Sequence, residues 1–252
     1  MFKIKLETRV MLDILRKSVL NNMLGGAVVR FTEKGLITSS SFGTYGCFAE
    51  YTPTKFEEYL VDYTTDIRVN QSFIKNFEEM AFQSDEICQI ESDLPNNRLI
   101  IVGGTRRWQP NIPNPAVETI GLADSGILLM PVENVGYLPN TKRQPVYQAK
   151  IIAEKMILPR SGDFITILPN DKTLKFSWDM DGLAEDSIEV IPENISIPYV
   201  PTDKAGFTFH LSYLKNILSN LSGEISITIY ERSIVFNRVT ADMKLVYFIA
   251  TV

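Results

Sequence analysis

The residues best able to do covalent chemistry are few and scattered. The single histidine, His210, has no serine or cysteine signature beside it, so it reads as a core or capping residue and not as a base. Cys47 and Cys88 are isolated thiols inside β-like runs, without metal-ligand spacing, and read as buried free cysteines in a reducing compartment. Asp179-Met180-Asp181-Gly182 resembles the start of a calcium loop but lacks the later ligands and the closing glutamate, which favours a hairpin turn. Gly103-Gly104 has no following Lys-Ser/Thr and no helix, so it is not a phosphate loop. No catalytic constellation, metal site or cofactor is expected.

What remains is non-covalent chemistry, carried by cations at matched positions. Ser72-Phe73-Ile74-Lys75-Asn76 returns as Ser212-Tyr213-Leu214-Lys215-Asn216, 140 residues later and with Ser, Lys and Asn in register. Each copy follows a strand-like run (Ile67 to Val69, Phe207 to Phe209). Each has one apolar helical face, Phe73, Ile74 and Phe77 in the first and Tyr213, Leu214 and Ile217 in the second, with the lysine on the other face. A helix from about Arg9 to Met23, capped by Thr8 and stopped by Gly25-Gly26, buries Met11, Ile14, Leu15 and Val19 and presents Arg9, Arg16 and Lys17. A second long helix is expected from Asn140-Thr141 and Pro145 to Leu158, presenting Lys142, Arg143, Lys150 and Lys155. Acidic residues gather instead on strands and turns, so a net charge of −5 does not exclude phosphate contact. A basic helical surface on an acidic body suits contact with phosphates without reading of bases.

These elements repeat in one order: strand, helix, several strands, helix, strands. The chain of 252 residues reads as a duplicated α+β domain. Hydrophobic content of 45% supports real cores, and no apolar run is long enough to span a bilayer. Met1 to Leu6 alternates like a strand and has no apolar core of a signal peptide. Between the halves, Pro110, Pro113 and Pro115 impose an extended path that then carries Val117, Ile120 and Leu122. Those apolar residues either tack the connector onto the sheets or form one wall of a peptide-docking site.

The order and spacing of several weak motifs resemble the sliding clamps of the proliferating cell nuclear antigen (PCNA) family, along nearly the whole chain. They are the Met1-Phe2 strand and helix start, Gly103-Gly104-Thr105-Arg106-Arg107-Trp108, Val117-Glu118-Thr119-Ile120-Gly121-Leu122, the Ser212 to Lys215 helix, and Leu245 to Ala250. The resemblance implies a DNA clamp fold of α+β class: two tandem similar domains (1–110 and 126–252) joined by a connecting loop (111–125). Antiparallel sheets lie outside and helices inside a ring of three chains lined by twelve helices. It implies no enzyme and no cofactor, but a processivity factor on double-stranded DNA inside the cell. Its partners would be DNA polymerase, a clamp loader and other replication and repair proteins.

Carried over by position, Arg9, Arg16, Lys17, Lys75, Lys142, Arg143, Lys150 and Lys215 would face DNA. Tyr45, Gly46, Ile120, Leu122, Ser233, Ala250 and Thr251 would form the partner-peptide pocket. Arg106, Arg107 and Trp108 would meet Asp186, Ile188 and Glu189 of a neighbouring copy, with Glu193 adding acidic charge. The family's Met-Asp and Ala-Pro pairs are here Ser41-Phe42 and Ala250-Thr251, which marks a divergent member. Two alternatives remain: a subunit of a mixed or specialised clamp of the same fold, or an unrelated duplicated α+β enzyme with a dispersed site.

Overall fold

The computed structural model describes residues 2–21, 23–42, 44–81, 87–93, 98–103, 106–108, 145–180, 184–198 and 206–252. The chain divides into two units. The first comprises the described residues of Met1–Ser41, Cys47–Glu133 and Thr240–Lys244, and the second those of Phe42–Gly46, Asn134–Val239 and Leu245–Val252.

In the first unit, β1 (Phe2–Glu7) leads into α1 (Thr8–Ser18), followed by β2 (Gly26–Thr32), β3 (Gly35–Phe42), β4 (Tyr45–Tyr51), β5 (Glu58–Val61) and β6 (Thr65–Asn70). Helix α2 (Gln71–Ala81) then precedes β7 (Ile87–Asp93), β8 (Arg98–Gly103) and β9 (Arg106–Trp108). The strands form an antiparallel order β5-β1-β7-β8-β9 and a second run β4-β3-β2-β6. The β2–β3 turn depends on Gly35, whose φ is 135° and whose place leaves no room for a Cβ: it would stand 2.1 Å from the Tyr51 carbonyl oxygen.

The second unit holds β10 (Tyr147–Ile152), β11 (Phe164–Pro169), β12 (Leu174–Met180), β13 (Ala184–Val190), β14 (Asn194–Ile197) and β15 (Phe207–His210). Then come α3 (Leu211–Ser219), β16 (Glu224–Tyr230), β17 (Ser233–Val239) and β18 (Met243–Ala250). Its orders are β14-β10-β16-β17-β18 and β13-β12-β11-β15. Renumbered, these are the two orders of the first unit, and α3 follows β15 as α2 follows β6. The duplication announced by five residues is therefore written into the strand order of both units.

Four expectations need correction. Thr8 does not cap α1 from outside; it is its first residue, with Glu7 at the cap position. The helix ends at Ser18 and not near Met23, because Leu20 and Asn21 take left-handed φ angles of 49° and 53°, and the Leu20 side chain is buried there. The second long helix is absent from the described residues: Tyr147–Ile152 is a strand with ladder partners on both sides, and only a single 3-10 turn, Ala153–Lys155, follows it. Ala149, Ile152, Ala153 and Met156 have helical spacing. Tyr147, Ala149 and Ile151 alternate as well, and they are fully buried. Two ladders of backbone hydrogen bonds and that buried face decide the contest for the strand. Finally, Asn194–Ile197 forms a strand that the sequence reading passed over. By contrast, Asn70 does cap α2, its side-chain oxygen accepting the Phe73 N–H at 2.8 Å.

Candidate nucleic-acid and partner interfaces

The buried sides of the helices fix where their cations point. Ile74, Phe77, Leu214 and Ile217 are buried, which leaves Lys75 exposed and Lys215 half-exposed on the other side of α2 and α3. On α1, Arg9 is exposed, whereas Arg16 and Lys17 are engaged by carboxylates. Arg16 Nε lies 2.9 Å from Glu78 Oε1 on α2, and Lys17 Nζ lies 2.5 Å from Asp13 one turn earlier. The Lys215 ammonium donates to the Arg160 carbonyl at 2.7 Å. By sequence α1 carries three cations against one carboxylate, α2 one against two, and α3 a single cation. This is a mildly basic set of helices, fit for a few phosphate contacts and no tight complex.

Lys150 does not belong to that set. It lies on β10, paired with Glu224 at 2.8 Å, because the helix expected to carry it is a strand. Lys142 and Arg143 lie outside the described residues.

Among the described residues, strands β9 and β13 are each the outermost of their sheet order, bonded on one side only. Strand β9 carries Arg106, Arg107 and Trp108; Arg107 is exposed, and the half-buried Trp108 ring packs on Phe73 of α2 with centroids 4.8 Å apart. Strand β13 exposes Asp186 and Glu189, with Ile188 half-buried between them. One edge is thus basic and aromatic and the other acidic, the pattern that the family resemblance implies. Glu193 is already held by Lys155 at 2.5 Å.

In the second unit, Tyr45, Gly46, Ser233, Ala250 and Thr251 come together. The Ala250 N–H donates to the Thr44 carbonyl at 2.6 Å, the Thr251 N–H to the Arg232 carbonyl at 2.9 Å, and the Val252 N–H to the Thr208 carbonyl at 3.0 Å. Tyr45 and Ser233 are buried, while Ala250 and Thr251 are half-buried. The Tyr45 ring stacks on Tyr213 with centroids 4.2 Å apart. Burial, and then the neighbouring Tyr213, push the Tyr45 phenol above its ordinary range, so it stays neutral. The sequence reading missed Tyr213, His210 and Phe164 here. His210 lies between the Tyr213 ring at 5.1 Å and the Phe164 ring at 4.8 Å, at the cap position of α3. The signal was present in the repeat, whose second position had been assigned wholly to the core. Ile120 and Leu122 lie outside the described residues.

Both cysteine thiols are sequestered. Burial pushes the Cys88 thiol up to about 12, and the buried Cys47 thiol donates to the Lys17 carbonyl at 3.3 Å. Among the described residues no group of three His, Cys, Asp or Glu side chains could hold a metal ion. Met180 pairs with Ala184 across the Asp181-Gly182 segment, as a hairpin requires. A cavity of about 610 Å³ in the first unit lies where the β2–β3 turn meets Tyr51, Thr52 and Met243. The Thr32, Thr52 and Thr240 hydroxyls on its wall already have hydrogen-bond partners within the chain.

No protein-family model matches this sequence, and no curated protein is significantly similar to it. Solved structures are. A chain of the C-terminal region of FEN-1 bound to A. fulgidus PCNA is 14% identical, covers 100% of this chain and 98% of its own length, and superposes with a TM-score of 0.72. A chain of the PCNA2–PCNA3 complex from Sulfolobus tokodaii is 15% identical, with 99% and 98% covered and a TM-score of 0.70. Two copies of one strand order, each with a helix laid on after its sixth strand, and this likeness along the whole of the given chain, make its fold that of the PCNA sliding clamps.

Proposed function

We propose that the protein is a sliding clamp, a ring of three chains that encircles duplex DNA and tethers a DNA polymerase and other replication or repair proteins to it. The observation that carries this reading is the full-length likeness to PCNA chains, joined to two open edges of opposite charge. Strand β9 of one copy meets β13 of the next, so that Arg106 and Arg107 face Asp186 and Glu189, and repetition of that head-to-tail contact closes a ring. Arg9, Arg16, Lys17, Lys75 and Lys215 line the hole and touch phosphates without reading bases. Their partial neutralisation by Asp13 and Glu78 suits movement along DNA, because each phosphate contact is weak and quickly exchanged.

The cluster of Tyr45, Gly46, Ser233, Ala250 and Thr251 receives a short peptide of a partner, with Ile120 and Leu122 of the connector as a further wall. The clamp itself performs no chemistry; it raises the effective concentration of its partners on DNA. No helix among the described residues is long and apolar enough to cross a membrane. Molar mass by light scattering across a micromolar range tests the assembly. Three chain masses support the ring, and a strict monomer overturns it.

A second reading, one subunit of a mixed ring, is favoured by the likeness to a chain of a PCNA2–PCNA3 complex. It predicts a monomer or dimer alone and a trimer only with a second, related chain.

A further inference from the structure

The repeated helical segment has one apolar position that the core leaves half-buried. Its third and sixth positions are sealed: Ile74, Phe77, Leu214 and Ile217 are at most 1% exposed. Its second position, Phe73 in one copy and Tyr213 in the other, stays half-buried in both. Each of these rings leans on an aromatic of another element: Phe73 on Trp108 at 4.8 Å and 50°, Tyr213 on Tyr45 at 4.2 Å and 32°.

The consequence is sharpest for Trp108. It lies on β9, whose described residues pair with β8 through Gly103–Arg106, Val102–Arg107 and Ile101–Trp108 and, among the described residues, with no other strand. An edge strand with a ladder on one side opens more readily than an inner strand unless a side chain anchors it. Phe73 is well placed to do so. It stands in the first turn of α2, and its own N–H is held by the Asn70 cap at 2.8 Å, so its ring projects from a fixed backbone.

We infer that Phe73 is a positioning residue for the junction between copies: its ring holds Trp108 and thereby holds β9 extended for the strand of the neighbouring chain. This rests on the reading of β9 as the junction. Tyr213 occupies the equivalent position in the other unit but braces Tyr45, at the peptide pocket. One repeat position thus serves a different surface in each copy.

The experiment measures assembly by sedimentation over a concentration series, with thermal unfolding alongside. Phe73→Leu keeps the helix and the apolar contact but removes the ring, and weakens assembly by roughly two- to tenfold per junction. Phe73→Tyr, which keeps the ring, restores it. Tyr213→Leu, an equal change at the equivalent position, assembles as the unmodified chain does. Should Phe73→Leu fail to fold, Phe73→Met carries the same comparison. Unchanged assembly of the Leu or Met variant overturns the positioning role, and so does a Tyr variant as weak as Leu. If the unmodified chain does not assemble at any concentration, the reading of β9 as the junction falls, and the role of Phe73 falls with it.

Discussion

Reversing the charge of Lys75 and Lys215 together tests whether the helices face DNA. The described helices carry five cations that could meet phosphates. Two of these, Arg16 and Lys17, share their charge with Glu78 and Asp13. Lys75 is exposed, and Lys215 is held only by a backbone carbonyl. These two lysines therefore account for up to two phosphate contacts per chain. Each contact contributes about 0.9 to the slope of log affinity against log salt. A fourfold rise in salt, from about 50 to 200 mM, thus weakens binding by roughly half a log unit per contact. Removing two contacts should cut the salt sensitivity by about tenfold over that range for each chain that touches the duplex, and should weaken binding at the low-salt end by at least as much.

The assay is fluorescence anisotropy of a labelled duplex, run on Lys75→Glu/Lys215→Glu and on a control, Lys34→Glu/Lys172→Glu. The control makes the same change in net charge on two exposed turns. If both variants lose affinity equally, only bulk charge matters and the helices have no special place. If neither loses affinity, the assignment of α2 and α3 to the DNA-facing wall is refuted.

Further outcomes follow from single contacts. Asn70→Ala removes the cap on the Phe73 N–H and should cost about 1 kcal/mol in chemical denaturation, whereas Asn70→Asp should cost little. Leu214→Ala empties a site with 0% exposure and should destabilise by roughly 2–5 kcal/mol, enough to be plain in a urea melt. Burial raises the Cys88 thiol to about 12 from an ordinary 9.0, so its contribution to stability is present below pH 9 and is lost as pH rises from there toward 12. The folded protein should accordingly resist iodoacetamide at Cys88 at pH 8.5, and rapid alkylation would contradict its burial. Asp242 is held below its ordinary 3.8 chiefly by the Lys55 ammonium at 2.8 Å and then by Thr240. That contribution is present above pH 3.8 and fades as pH falls below it, so Asp242→Asn should lower the unfolding midpoint more at pH 7 than at pH 3.

The duplication was legible because a repeat acts locally. Ser72 to Asn76 and Ser212 to Asn216 each need only a preceding strand and one apolar face to become the same helix. Most strands were legible for the same reason, since alternation is a property of neighbouring residues. The failures lie where distant contacts outvote local pattern. Tyr147–Ile152 satisfies both periods over a few residues, and the ladders to β14 and β16 decide for the strand. Helix α1 stops early because the buried Leu20 accepts a left-handed backbone, which no spacing rule announces. The site divides likewise. Cations can be counted in a sequence, but the ion pair of Arg16 with Glu78 joins residues 62 positions apart. Tyr45 and Tyr213, at opposite ends of the chain, show their contact only once both elements are folded. That β9 and β13 lie at the borders of their sheet orders was an expectation of the family resemblance alone, since nothing local in Arg106–Trp108 or Asp186–Glu189 marks a border.

Topology offers the most direct test of the central claim. The protein, at a concentration where it is assembled, is threaded over the ends of a linear plasmid, which is then circularised with ligase and passed through a sizing column at about 200 mM salt, where phosphate contacts alone are weak. A ring that encircles DNA co-elutes with the circle and is lost when the same plasmid is cut once before the column. Equal retention on circular and linear DNA, or none on the circle, would contradict it.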